Sequence, residues 1–122
     1  MVKHQLLYDE DILIVTPEAP LEANDFKLLD KEINPRIEAS GKLKGLLLDV
    51  NPFPGWENFS AFLSHAQFIK NHHKKIRKIA LVTDSDILSF LPQIAKHFVQ
   101  TEIRHFNSAQ SQMALDWLKE SI

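Results

Sequence analysis

Apolar positions along the chain change period in a way that marks out one element after another. Gln5 to Tyr8 and Ile12 to Thr16 are short apolar runs on either side of Asp9-Glu10-Asp11. They predict a hairpin with acidic residues in its turn, and Pro17 and Pro20 close the second run. Phe26, Leu29, Ile33 and Ile37 then recur at steps of three, four and four, the spacing of one buried helix face. Glu22 and Asp25 stand where negative charge favours a helix amino terminus. Pro35 falls inside this pattern and predicts a kink or a division near Asn34. Ser40-Gly41 ends it, with Gly41 as a left-handed cap.

Gly45 to Val50 breaks the helical period with four large aliphatic residues and no alternation. A strand apolar on both faces fits the interior of a largely parallel sheet covered by helices. The next helix, from about Glu57 to Asn71, presents Phe59, Phe62, Leu63, Ala66 and Ile69 on one face, with Phe68 turned away from it. Ile79 to Thr83 predicts a further strand, and Asp84-Ser85-Asp86 turns into a helix carrying Ile87, Leu88, Leu91, Ile94, Ala95 and Phe98 inward. Glu102 to Phe106 alternates Ile103 and His105 against Arg104 and Phe106. Asn107 or Ser108 caps a last helix whose apolar stripe is Met113, Ala114, Trp117 and Leu118. The order ββαβαβαβα predicts an α/β fold: a single mixed, mainly parallel sheet of about five strands flanked by four helices. Gly45–Val50 is expected inside that sheet, paired on both sides.

Composition narrows the classes. With 122 residues the chain is expected to form one domain spanning 1–122, without linker, repeat or low-complexity segment. A formal net charge of −2 provides no global field toward nucleic acid or an anionic membrane. The absence of cysteine removes disulfides, thiolate nucleophiles and thiolate metal ligands together. No apolar run reaches the roughly 18 residues of a membrane span. Charge returns at Asp9, leaving no room for a signal-peptide core. The expected location is the cytoplasm.

Candidate chemistry is sparse. Asp49 closes the buried strand and could act as a base or ligand anchor, or accept backbone N–H bonds from the following loop. Asn51-Pro52-Phe53-Pro54-Gly55 is a stiffened turn, unsuited to cradling phosphate because its prolines remove two N–H groups. Phe53 and Trp56 either line a pocket or interface, or fill core beneath the loop. Lys70 to Lys78 holds five Lys or Arg and two His. A solvated face is the reading preferred there over a nucleic-acid surface or a His72-His73 metal site. Asp84-Ser85-Asp86 reads as helix capping ahead of a Mg²⁺ site. No cofactor and no metal site are expected.

Three landmarks carry a family resemblance: Leu46-Leu47-Leu48-Asp49 with Gly55-Trp56 beyond it, Ile79-Ala80-Leu81-Val82 followed by Asp84, and Ala114-x-x-Trp117-Leu118, joined by Arg104-x-Phe106. In this order they resemble the STAS (sulfate transporter and anti-sigma factor antagonist) domain, and more specifically the small bacterial SpoIIAA-like proteins. The resemblance implies the STAS-type sheet and helices, with a molecular role that is generally unassigned. It also implies a comparison with the serine phosphoswitch of anti-sigma antagonists, which follows a strand-end Asp. Here the corresponding tripeptide is Asp49-Val50-Asn51, without a hydroxyl, and Ser60 lies eleven residues beyond Asp49. No phosphorylation site is therefore expected there.

The functional expectation is a non-enzymatic binding or regulatory module of the SpoIIAA-like type. It would take a small apolar ligand or a protein partner at the loop after the central strand, with Asp49, Phe53, Trp56 and Phe59 as binding residues. The carboxyl edge of an α/β sheet is the usual ligand site. One alternative is a small hydrolase or lyase using Asp49 and Asp84 with a histidine. The other is an anti-sigma-antagonist-like interaction domain lacking the serine switch. A weak homodimer involving the Phe68 surface is also expected, and neither nucleic acid nor a membrane span.

Overall fold

Alternating apolar runs and amphipathic segments do form one sheet with helical crossovers. The computed structural model describes residues 2–7, 11–18, 21–41, 43–51, 53, 55–72, 75–84, 88–98 and 101–120. Tyr8, Asp9, Glu10, Pro20, Pro52, Pro54, His73, Lys74, Ser85, Asp86 and Ile87 lie outside the described residues, as do the side chains of Phe68, His72 and Leu88. The strands are β1 (Val2–Leu7), β2 (Ile12–Pro17), β3 (Leu43–Asp49), β4 (Ile76–Val82) and β5 (Glu102–Phe106). They lie side by side in the order β1-β2-β3-β4-β5. β1 is antiparallel to β2 and every other pair is parallel. β3 sits in the middle, with Ile12 opposite Gly45 on one side and Leu46 opposite Ile79 on the other. Its apolar residues on both faces require that place.

Among the described residues, five α-helices accompany the strands: α1 (Ala23–Ser40), α2 (Trp56–His65), α3 (Gln67–His72), α4 (Leu91–Ala95) and α5 (Ser111–Lys119). In α1 the expected stripe of Phe26, Leu29, Ile33 and Ile37 is buried. At its amino end the Glu22 backbone N–H donates to Asp25 Oδ2 at 2.9 Å, which holds the Asp25 carboxyl below its usual range. Gly41, at φ 79°, ends it by donating its N–H to the Ile37 carbonyl at 2.8 Å. Pro35 lies inside a continuous α1 and does not divide it near Asn34, the second of the two outcomes expected from its missing N–H. Four buried anchors on one face outweigh the lost hydrogen bond.

The segment expected as one helix over 57–71 is instead α2 and α3, broken at Ala66, whose ψ is 108°. The break is stabilised from outside: Asp30 of α1 accepts the freed backbone N–H of Gln67 at 3.0 Å. Ala66 and Ile69 remain buried across it, so the apolar stripe survives the change of direction. α4 is short and preceded by a 3-10 turn at Leu88–Phe90, with Ile94 and Phe98 buried but Ala95 exposed.

Crossovers of one hand that march in one direction across a sheet place their helices on one face. The packing agrees. Residues of α1, α2, α3 and α4 join Leu13, Val15, Leu46, Leu48, Ile79 and Leu81 in one core. Among the described residues the opposite face is covered by α5, through Ala114, Trp117 and Leu118 on Ile12, Leu47, Ala80, Val82 and Phe106. Gly45 allows the close approach of α5: a Cβ there would stand 2.8 Å from Leu118 Cδ2. Met113, expected in the buried stripe, is exposed on α5.

Candidate functional site

The carboxyl edge of the sheet gathers two distinct groups. Above the first face, Gly55 adopts φ 93°, a left-handed conformation open to glycine, and turns the chain from β3 into α2. Its carbonyl accepts the Phe59 N–H at 3.0 Å, which starts the helix. That start sets Trp56 and Phe59 on one side, and their rings meet edge to face with centroids 6.1 Å apart. Phe53 approaches Phe59 in the same manner at 5.8 Å. Phe90, from the turn before α4, stacks flat on Trp56 at 4.6 Å with an interplanar angle of 6°. At that separation no third ring enters between them.

Phe59 is fully buried and serves as the floor of this group. Phe53, Trp56, Phe90 and Leu91 are half-buried and packed against the core. Sequence reasoning named Phe53, Trp56 and Phe59 but not Phe90. Phe90 lies 34 residues beyond Trp56, and only the fold joins them.

Asp49 does not join that group. Alternation along β3 gives it the parity of Leu47, which packs under α5, whereas Leu46, Leu48 and Val50 face the aromatic side. Its Oδ1 accepts the Asn51 backbone N–H at 3.4 Å, the loop-holding role weighed for it above.

The second group lies between β4 and β5. The β4 loop leads to α4 on the first face and the β5 loop to α5 on the other, so the two loops diverge there. Such a divergence is what opens a crevice in an α/β sheet, and the unidirectional order of β2 to β5 creates none after β3. Asp84 spans it: Oδ1 accepts the Ser108 backbone N–H at 2.8 Å and Oδ2 the Ser108 hydroxyl at 2.7 Å. These two bonds, with the nearby His105 adding to them, hold the Asp84 carboxyl below its usual range. His105 Nε2 lies 2.9 Å from the Thr83 carbonyl and donates to it in the tautomer protonated there. A carboxylate so stabilised is a weaker base, and both its oxygens are engaged. The geometry therefore makes Asp84 a tie between two loops. Among the described residues no set of three His, Asp or Glu is placed to hold a metal ion.

The basic stretch is not uniformly solvated. Lys78 is 4% exposed. It turns under α5 and donates to the carbonyls of Trp117 at 2.9 Å and Glu120 at 3.3 Å. Lys70 lies close enough to His97 that it, after burial and Lys96, pushes that imidazole pKa down.

No helix among the described residues is long and apolar enough to cross a membrane. Comparison with curated proteins gave no match, and comparison with solved structures gave none. A family model described as SpoIIAA-like matches residues 12–119, most of the chain. That match covers the parallel strands and every helix, from the start of β2 to the end of α5. The family has the STAS-type architecture and is generally non-enzymatic, and membership supports a regulatory or binding domain. The chain belongs to the SpoIIAA-like family.

Proposed function

We propose that the protein is a non-enzymatic binding and regulatory module whose contact surface is the aromatic group of Phe53, Trp56 and Phe90 with Leu91. The observation that carries this reading is a set of half-buried rings seated on a fully buried one, Phe59. Half-buried rings already fixed by packing lose little side-chain freedom on binding, and aromatic residues are enriched in protein interfaces. The flat stack of Trp56 on Phe90 favours a protein segment laid across the rings over a small molecule inserted between them. Strand parity also puts Asp49, the carboxylate nearest in sequence, on the other side of β3 from this group.

Native mass spectrometry of the protein purified from its own host tests the proposal. The expected result is a stoichiometric protein adduct that disappears in Phe53→Ser, a variant that leaves the Phe59 floor in place. A retained small molecule would select the pocket reading instead. A bare chain, or an adduct indifferent to Phe53→Ser, overturns the proposed surface.

A further inference from the structure

Two stretches of chain build the aromatic group: residues 45–69 supply Phe53, Trp56 and Phe59, and residues 79–95 supply Phe90 and Leu91. None of the 14 Lys and Arg residues falls in either stretch. Four of the 16 acidic residues do: Asp49, Glu57, Asp84 and Asp86. The formal net charge of −2 conceals this separation of signs.

The fold preserves it. Asp49 ends β3 and pairs across to Val82, the last residue of β4, with Asp84 two residues further on. Both carboxylates therefore stand at the carboxyl edge of the sheet, on neighbouring strands, even though Asp49 lies on the other side of β3 from the rings. The bonds that lower the Asp84 pKa keep it ionised at neutral pH. Glu57 is exposed in the first turn of α2, next to Trp56 in the chain. A helix amino terminus favours a carboxylate there, and among the described residues Glu57 has no ion-pair partner. The cations that bound the two stretches are engaged elsewhere. Lys44 and Lys78, in the amino halves of β3 and β4, hold the carboxyl end of α5. Lys70 and Lys96 act together on His97.

We infer that the partner of the aromatic surface is a basic protein segment, with Lys or Arg between the apolar side chains that meet the rings; this assignment rests on the contact surface proposed above. Rings alone accept any apolar side chain, whereas fixed charges of one sign choose among partners and speed the encounter of the right one. A cation gains twice at such a surface, from the carboxylates and from the negative face of a Trp or Phe ring. An acidic segment would meet like charge, and a nucleic acid would bring phosphates to the same field.

Fluorescence anisotropy with three labelled peptides tests it. All three carry the same leucines, with Lys and Arg, Ser, or Glu at the positions between. The basic peptide is expected to bind most tightly and to weaken as salt is raised. Glu57→Gln should weaken it roughly twofold to fivefold, the scale of one exposed ion pair, and Glu57→Lys should weaken it further. The Ser peptide should not respond to either change, and circular dichroism confirms that both variants fold. A basic peptide bound no more tightly than the other two, an affinity indifferent to salt, or one indifferent to Glu57→Lys overturns the inference. The contact surface is read separately, by Phe53→Ser: basic-peptide binding that responds to Glu57→Lys but ignores Phe53→Ser overturns that surface instead. A second copy offering its basic residues 70–78 is the other occupant these charges allow. A dimer in sedimentation equilibrium that dissociates in Glu57→Lys would select it and overturn the separate partner.

Discussion

The two faces of the sheet are held by different physics. On the first, α1 to α4 bury a continuous apolar core that includes Phe26, Leu29, Ile33, Ile37, Phe59, Phe62, Leu63 and Ile94. Area removed from water positions those helices, at roughly 25 cal/mol per Å². On the second face α5 contributes only Ala114, Trp117 and Leu118 as buried residues. Polar ties at both its ends supplement that small area. The Asp84 carboxylate holds Ser108 where the chain turns into the helix, and two lysines hold the other end. Lys44 Nζ donates to the Lys119 carbonyl at 2.7 Å and Lys78 Nζ to that of Trp117 at 2.9 Å. Cations at a helix carboxyl end also meet the negative end of its dipole. Lys78 Nζ and Arg104 Cζ further stand over the Trp117 ring, 5.0 and 4.9 Å from its centroid. With only three buried residues, α5 is placed in part by these directional contacts.

Substitutions on each face should separate the two modes. Phe59→Ala removes a fully buried ring from beneath the aromatic group and should cost about 3–5 kcal/mol in chemical denaturation. A loss below about 1 kcal/mol would mean that the first face does not rest on that packing. Lys78→Met keeps the apolar stem and removes the donors, so about 1.5–3 kcal/mol should be lost. The accompanying signature is a change in near-ultraviolet circular dichroism from Trp117, and a neutral effect would show that burial alone holds α5. Gly45→Ala forces a methyl toward Leu118 and should destabilise by about 1–3 kcal/mol. Pairing it with Leu118→Ala, which vacates that space, should give less than the sum of the two losses; strict additivity would contradict the close approach.

The smallest effect is electrostatic and belongs to the second face. The Asp84 carboxyl is lowered in the folded chain from an ordinary value of 3.8. The stability it supplies is therefore complete above that value and lost as pH falls through the lower folded one. Asp84→Asn should flatten this acid limb of the stability profile and leave neutral-pH stability only slightly reduced. An unchanged acid limb would show that the tie to Ser108 carries no linkage.

Pattern alone made much of this legible. The unbroken apolar run after Gly45 places β3 inside the sheet, because only an interior strand buries both faces. The stripes of α1 and of the α2–α3 segment follow from helical spacing, and Gly41 from the left-handed cap. The alternation of Ile103 and His105 against Arg104 and Phe106 divides β5 between the two faces, as observed. Phe53, Trp56 and Phe59 are close in sequence, so their grouping could also be foreseen.

Long-range geometry decided the remainder. Pro35 stays inside α1 because tertiary burial exceeds a local preference. The break at Ala66 is held by a carboxylate, Asp30, 37 residues before the Gln67 N–H that it accepts, which no local rule reveals. Asp49 was separated from the aromatic group by strand parity at the edge, and Phe90 was added to it by a crossover. Composition lists Lys78 among solvated charges, yet the helix end above it makes burial favourable. The sequence determines which residues prefer to leave water and with what period. Which polar groups then meet, and on which side of the sheet, depends on the direction in which the crossovers march, and that direction is encoded in no single stretch.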